Sequence, residues 1–440
     1  MSWGDKQDRS VKISERRRGS ANRGKERSLF PIPLYILGLI LLYAVSAYLF
    51  YKQTLKPGGR YPSDTSVYVR ISKEKHGVRL ITWIYNYLYN LRGDTLYIAL
   101  YMAAVVVLTV IVNYFVIKWY LDRAKGQLRQ GAAASGGSSW TFSGMGEFDL
   151  ARDAARLASF VMLFTGSMYL PVLHARFYRK SWCTYAWHSP TQQLMILFAM
   201  ISLLLFLKMY DTYMDYINPF MWIGLMITSV MSVWAKPSFM LVFIPTLIIV
   251  FLIELAVHVQ DGMTLKRFRR LFLFGLSMVP TGFLILFLNS SIYGEGSKNK
   301  VAMSLVREGG FGYNVYAAAF CGLLFPALVF LFNLKRFREL PYQIAAGMLT
   351  FGIAEWALFQ EVGTRAKDGN FAWGRQFGCY YVFLCAICVW IDNFRDESFM
   401  GGRKWLKNIY LIITGIILAI HVLSQMVHFY LMLRGYTYYK

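Results

Sequence analysis

The chain has 440 residues, of which 56% are hydrophobic, 17% aromatic and only 16% charged. Soluble domains carry roughly a quarter charged residues, so this composition excludes an ordinary soluble protein and also the collagen-like, disordered and disulfide-scaffold classes. A net charge of +23 would indicate nucleic acid binding in a soluble chain. Here Lys and Arg residues separate long apolar runs, so we predict a polytopic membrane protein whose partner is the lipid bilayer, with no nucleic acid partner.

Residues 1–30 are rich in Lys and Arg and are predicted to form a basic, disordered cytoplasmic tail. A bilayer crossing needs about 20 apolar residues. By this criterion residues 31–440 form one integral membrane domain, and the fold class is an all-α transmembrane bundle of about eleven spans. The spans are predicted near residues 31–51, 97–118, 155–173, 191–207, 217–235, 237–257, 271–290, 313–333, 341–359, 376–393 and 408–432.

The distribution of positive charge predicts the orientation, because Lys and Arg are enriched in cytoplasmic loops. With the N-terminus inside, the basic clusters at 266–270, 335–338 and 403–407 all fall on one side. We therefore predict a multi-pass plasma membrane protein with a cytoplasmic N-terminus and an active site facing outside. The Gly-, Ala- and Ser-rich residues 122–150 are predicted to be a flexible cytoplasmic linker.

The first outer loop, residues 52–96, contains a segment whose apolar side chains have helical spacing. They are Leu80, Trp83, Ile84, Tyr87, Leu88 and Leu91. Tyr and Trp favour the headgroup level, so we predict an amphipathic helix on the outer leaflet. The alternative is a loop packed on the other spans.

Asp64 lies earlier in the same loop, between a proline-containing turn and the following helix. A carboxylate held at the membrane surface suits a general base. The structural alternative is that Asp64 is the N-cap of that helix.

A second polar position interrupts two apolar runs at Lys236, Pro237 and Ser238. Proline permits a tight reversal, and a lysine so close to the apolar runs needs pairing or snorkelling. Lys236 with Ser238 is a candidate phosphate anchor. The alternative is a snorkelling lysine that marks a helical hairpin.

The third and densest polar position begins at Glu355, inside a predicted span, and continues to Arg375. Its candidate residues are Glu355, Glu361, Arg365, Asn370, Trp373 and Arg375. Charges of both signs beside glycines and aromatic rings are typical of a polar ligand pocket, and these side chains suit a sugar. A solvated loop with internal salt bridges is the alternative. A basic, aromatic loop that contains His188 is a lesser candidate on the same side.

The sequence lacks the HExxH, P-loop and GxSxG motifs, and its five cysteines have no zinc-ligand spacing. We therefore predict no metal site and interpret the cysteines as packing residues. His421 and His428, seven residues apart on one helix face, are interpreted in the same way.

The polar motifs together resemble the GT-C superfamily of polyprenyl-phosphate-sugar-dependent membrane glycosyltransferases. The element from Ser63 to Tyr68 is similar to the acidic motif in the first outer loop of these enzymes. The Lys236-Pro237 hairpin, followed after one span by the basic cluster at 266–270, resembles the mannosyltransferase-like branch. The run from Gly369 to Gly374 is similar to an outer-loop signature of uncharacterised Gram-positive membrane proteins of this kind.

This resemblance implies an inverting transfer of sugar from a polyprenyl phosphate to an extracytoplasmic glycan or lipid acceptor. Asp64 would be the general base, with Glu355 in reserve. The implied lipid-phosphate ligands are Lys236, Ser238, Arg365 and Arg375, and the implied sugar ligands are Tyr68, Glu361, Asn370, Trp373 and His188. The resemblance implies no cofactor and leaves room for a divalent cation.

Two other functions stay open at this point. A polysaccharide polymerase would use outer arginines such as Arg176, Arg307 and Arg375. A flippase or transporter of lipid-linked saccharide would need the same basic, aromatic outer groove, together with inverted-repeat halves.

Overall fold

A computed structural model describes residues 28, 30–55, 60–61, 63–74, 77–134, 147–170, 172, 187–260, 262–294, 297–303, 315–363 and 369–436, and only the backbone within 124–134 and 147–150. The predicted tail, residues 1–30, lies almost entirely outside these ranges. The candidate arginines Arg176, Arg307 and Arg365 also lie outside them.

The described residues are almost entirely helical, which agrees with the predicted all-α class. The helices are α1 (Ile32–Leu55), α2 (Thr65–Lys73), α3 (Leu80–Arg92), α4 (Leu96–Ala134), α5 (Glu147–Val161), α6 (Pro190–Tyr210), α7 (Pro219–Ala235), α8 (Ser238–Val257), α9 (Thr264–Tyr293), α10 (Val315–Leu331), α11 (Leu340–Leu358), α12 (Ala372–Arg395) and α13 (Lys404–Leu433). Two short strands, β1 (Lys300–Met303) and β2 (Phe359–Val362), pair antiparallel with Val301 opposite Glu361.

Seven helices in the described ranges are long and apolar enough to cross a bilayer, namely α1, α4, α6, α8, α9, α12 and α13. Helices α7 and α10 are also apolar but have only 17 residues each. The 19-residue helix α11 packs against both α8 and α12. The helices support association with a membrane, as the composition predicted.

The predicted span 155–173 is not a continuous helix. Helix α5 ends at Val161, a 3₁₀ turn covers Met162–Phe164, and residues 165–170 have no helical structure. The backbone of this segment is satisfied by side chains of α13 instead, because His421 binds the Gly166 carbonyl and Gln425 donates to the Ser167 carbonyl. Irregular backbone in an apolar bundle requires such protein partners.

The predicted linker is shorter than residues 122–150. Helix α4 continues to Ala134 and α5 begins at Glu147, so the segment without an assigned element is 135–146, which the structure does not describe. The alanines and the Lys, Gln and Arg residues of 122–134 have high helix propensity, and this outweighs the two glycines there.

The three polar positions lie at one end of the bundle, here called the site end. There α7 turns into α8 at Lys236 and Pro237, α11 continues into β2, and the Asp64 amide donates to the His188 carbonyl. The three basic clusters stand at the starts of α9, α11 and α13, whose other ends reach the site end. The three basic clusters and the three polar positions therefore lie at opposite ends of the bundle.

Helices α11 and α12 approach each other closely because glycines line their contact. A Cβ atom on Gly352 would lie 2.5 Å from the backbone nitrogen of Arg375, and one on Gly378 would lie 2.8 Å from the Leu349 Cα. Backbones this close leave no room for a methyl group. The crossing brings the last turn of α11, which carries Glu355, beside the first turn of α12.

Helix α3 is the amphipathic segment that was predicted from residues 80–91. Ile81 and Tyr85 are fully buried against the bundle, whereas Trp83, Tyr87 and Leu91 are exposed on the opposite side. Trp83 touches Trp234 of α7 at the edge of this face, and the rest of the exposed apolar surface is suited to a bilayer interface.

Candidate functional site

A cavity of about 680 Å³ lies at the site end between α8, α9 and α11, with the strand pair at its rim. Its polar lining comprises Arg79, Lys236, Ser238, Asn289, Tyr293, Glu355 and Asn370. The rest of the wall is apolar and includes Leu241 and Leu286. Four of the predicted site residues, Lys236, Ser238, Glu355 and Asn370, therefore face one cavity although they are far apart in the sequence.

Lys236 is the cation at the centre of this arrangement and is only 4% exposed. Its Nζ lies 3.5 Å from the centroid of the Trp373 ring, which compensates part of the cost of burying the charge. Ser238 begins α8 directly beside it, so the unpaired backbone N–H groups of that helix start also lie near the cavity. This corner of the cavity favours an anion.

Glu355 places a carboxyl group in the same cavity, in the last turn of α11. Its Oε2 atom is buried and has no hydrogen-bond partner among the described residues. A Cβ atom at position 374 would lie only 2.3 Å from this oxygen, so Gly374 makes the space that the carboxyl group occupies. A buried carboxyl group without a partner is a candidate for contact with a ligand.

Asn370 and Tyr293 also line the cavity and are held by Glu361. The Asn370 Nδ2 donates to Glu361 Oε2 at 2.7 Å, and the Tyr293 hydroxyl donates to Glu361 Oε1. Glu361 itself is in β2, is only 5% exposed and does not line the cavity. The predicted sugar ligand Glu361 thus lies behind two residues that face the cavity.

Asp64 and His188 form a pair outside the cavity lining. The Asp64 carboxylate is half-exposed and lies 3.8 Å from His188 Nε2. Asp64 occupies the N-cap position of α2, but its side chain makes no capping hydrogen bond. Burial lowers the pKa of His188, Asp64 raises it, and Lys236 lowers it. The charges of Asp64 and Lys236 thus both act on the His188 imidazole.

Three other candidates do not line the cavity. Arg375 is almost fully buried, with its guanidinium 4.1 Å from the centroid of the Trp356 ring. Trp373 turns one ring face to Lys236, and Tyr68 packs against the core one turn after Asp64.

Three further residues line the cavity that were not predicted from the sequence, namely Arg79, Asn289 and Tyr293. Arg79 precedes α3 and is brought to the cavity because Trp234 of α7 donates to the carbonyl of its neighbour Val78 at 2.9 Å. Asn289 and Tyr293 are four residues apart, and therefore share one face of α9. That spacing of polar groups at the end of a predicted span was a usable signal.

In the described ranges, no group of three or more His, Cys, Asp or Glu side chains converges on a point where a metal ion could be held. In comparisons with known proteins, no protein family and no curated protein matches the chain. Support for a function therefore comes from the geometry and chemistry of these residues.

Proposed function

We propose that the chain is an integral membrane glycosyltransferase of GT-C type, which transfers a sugar from a polyprenyl phosphate to an extracytoplasmic glycan or lipid acceptor with inversion. The observation that carries the proposal is a single cavity with a cationic corner and an apolar wall that reaches the outer surface of the bundle.

The apolar wall supports a lipid as part of the substrate. Leu241 of α8 and Leu286 of α9 both line the cavity, yet they are 38% and 66% exposed on the outside of the bundle. Residues that belong to both surfaces mark a lateral opening between the two helices. An isoprenoid chain lying in this opening keeps its apolar surface out of water.

The cationic corner supports a phosphate as the headgroup. Lys236 and Arg79 supply positive charge, and the start of α8 at Ser238 supplies backbone N–H donors. This combination is complementary to phosphate oxygens. Of the other predicted phosphate ligands, Arg375 is buried on Trp356 and does not line the cavity, and Arg365 lies outside the described residues.

The chemical step requires a base, and we assign that role to Asp64. Its half-exposed carboxylate remains accessible to an acceptor that approaches from outside. Asp64 takes the proton from the acceptor hydroxyl, whose oxygen attacks the anomeric carbon while the bond from that carbon to the phosphate oxygen breaks. The phosphate leaves with the bonding electrons, and Lys236 stabilises the charge that develops on it. Glu355, inside the cavity, is the alternative base.

The proposed topology has several membrane crossings, with the basic clusters in the cytoplasm and the site end outside the plasma membrane. Helix α3 would lie on the outer leaflet through its exposed face of Trp83, Tyr87 and Leu91. The N-terminus would be cytoplasmic, because α1 runs towards the site end.

Reconstituted vesicles tested with a radiolabelled polyprenyl-phosphate sugar separate the candidate functions. A transferase moves the label to an acceptor, whereas a flippase or transporter moves intact labelled lipid across the bilayer. Asp64→Asn should abolish transfer while donor binding persists, and Lys236→Ala should reduce the rate on the order of 10²–10³-fold.

Matched variants control for general effects of charge. Asp94→Asn removes an exposed carboxylate of the same outer loop, and Lys208→Ala removes an exposed lysine at the opposite end of the bundle. Both should keep normal turnover. Normal turnover in Asp64→Asn together with loss in Glu355→Gln would move the base to Glu355, and normal turnover in Lys236→Ala would refute the phosphate site.

A further inference from the structure

Glu361 holds two residues of the cavity wall without lining the cavity itself. It lies in β2, opposite Val301 of β1, and its two carboxylate oxygens each accept a hydrogen bond. The donors are the Tyr293 hydroxyl at the end of α9 and the Asn370 amide before α12. Both donors line the cavity.

The chemistry of these bonds fixes the direction of two groups that otherwise have a choice. A carboxylate only accepts hydrogen bonds, so the NH₂ group of Asn370 must face Glu361 and the carbonyl Oδ1 must lie on the other edge of the amide. Likewise, the hydroxyl hydrogen of Tyr293 is directed at Glu361. With a neutral partner that both donates and accepts, the amide could turn over and the hydroxyl could rotate.

We propose that Glu361 is a positioning residue that makes this wall of the cavity a hydrogen-bond acceptor, so that the site selects ligands with hydroxyl donors at that position. This inference rests on the proposed function, in which the hydroxyls belong to the transferred sugar. It replaces direct contact between Glu361 and sugar with an indirect role through Asn370 and Tyr293.

The acceptor wall complements the cationic corner of the same cavity. Lys236 and Arg79 offer positive charge and N–H donors, whereas Asn370 and Tyr293 each direct a donor to Glu361. A ligand that matches both features carries an anionic group and hydroxyl groups. A hexose linked to a lipid phosphate has this pattern, and a cationic lipid headgroup does not.

Glu361→Gln tests the inference, because it keeps the size of the side chain and adds a donor. Farnesyl phosphate hexoses (glucose, mannose and galactose) and their monodeoxy analogues are titrated into the detergent-solubilised full chain by calorimetry. In the wild-type protein, loss of the recognised hydroxyl should weaken binding by about three- to tenfold, the effect of one hydrogen bond. We call this factor, the affinity for the full hexoside divided by the affinity for its deoxy analogue, the hydroxyl ratio. In Glu361→Gln the hydroxyl ratio should fall to about one, while the affinity for farnesyl phosphate without sugar is unchanged.

Three further variants separate positioning from folding. Gln360→Glu changes charge on the opposite face of the same strand and should keep the wild-type ratio. Asn370→Leu should also lower the hydroxyl ratio to about one. The double variant that combines Glu361→Gln with Asn370→Leu should show no further decrease. Tyr293→Phe removes only the hydroxyl contact, so it keeps the test valid if Glu361→Gln does not fold.

The outcomes distinguish this inference from the proposed function. If Glu361→Gln has the same hydroxyl ratio as the wild-type protein and binds farnesyl phosphate normally, the role of Glu361 is overturned. The lipid-phosphate site is then left in place. A wild-type protein that binds neither farnesyl phosphate nor its hexosides overturns the proposed function, and the inference with it.

Discussion

The close contact of α11 and α12 makes the substitution Gly352→Ala a demanding test of the architecture. The added methyl carbon would lie 2.5 Å from both the nitrogen and the Cα of Arg375, and ordinary contacts begin at 3.4 Å. These are backbone atoms and cannot swing aside, so the helices must separate by about 1 Å. Overpacking of this kind costs about 1–3 kcal/mol of unfolding free energy.

A glycine-to-alanine substitution at position 282 should instead raise the free energy of unfolding. Gly282 lies within α9, and a Cβ atom there would meet nothing within 4 Å. Gly282→Ala should therefore show only the gain in helix propensity, about 0.5–1 kcal/mol of added stability. Two chemically identical changes in two helices are thus expected to have opposite signs.

The buried cysteines provide the assay. Cys321, Cys379, Cys385 and Cys388 are free and buried, so a thiol-reactive fluorophore reports unfolding when heating exposes them. A Cys183→Ser background removes the remaining thiol, which lies outside the described residues. Gly352→Ala should unfold at a lower temperature than this parent, and Gly282→Ala at an equal or higher one. A Gly352→Ala variant as stable as the parent would refute the close crossing.

The remaining predictions concern the site itself. Gly374→Ala would place a methyl group 2.3 Å from Glu355 Oε2, so the carboxyl group must move and sugar transfer should fall while expression persists; unchanged turnover would remove Glu355 from any part in the reaction. For His188, Asp64→Asn should lower the pKa further and Lys236→Met should raise it, because Asp64 raises that pKa and Lys236 lowers it. Carbethoxylation requires the neutral ring, so its midpoint, followed by mass spectrometry of the peptide with His188, should move to lower and higher pH respectively. Midpoints that stay in place would show that neither charge acts on His188. The pKa of His188 is lower in the folded protein than its ordinary value of 6.5. As the pH drops below 6.5, His188 therefore takes up a proton more readily in the unfolded chain, and the free energy of unfolding should fall.

Much of the architecture could be predicted from local patterns. Apolar runs identified the long helices, the Lys236-Pro237 break identified a tight reversal, and the spacing from Leu80 to Leu91 identified α3. These features depend on residues close together in the sequence, so periodicity and proline chemistry were sufficient. The alternation of spans also placed the three polar positions at one end of the bundle.

Features that depend on distant partners could not be predicted in this way. The helix expected at 155–173 ends at Val161, and the non-helical backbone that follows is bound by side chains of α13, partners that no local signal shows. Trp373 suits a sugar by residue type, but only the packing of α12 against the α7–α8 turn reveals Lys236 over its ring. In the same way, Glu361 was predicted as a sugar ligand from its residue type, whereas its place behind Asn370 depends on the pairing of β1 and β2.

The non-helical segment at 165–170 also constrains the order in which the protein can be completed. The carbonyls of Gly166 and Ser167 receive their hydrogen bonds from residues of α13, which are made more than 250 positions later. During synthesis these groups have no such partner, and hydrocarbon offers none. The nascent bundle must therefore keep these carbonyls hydrated or shielded until α13 has been made, and a chain that stops before His421 cannot supply these two hydrogen bonds, however well its earlier helices have assembled.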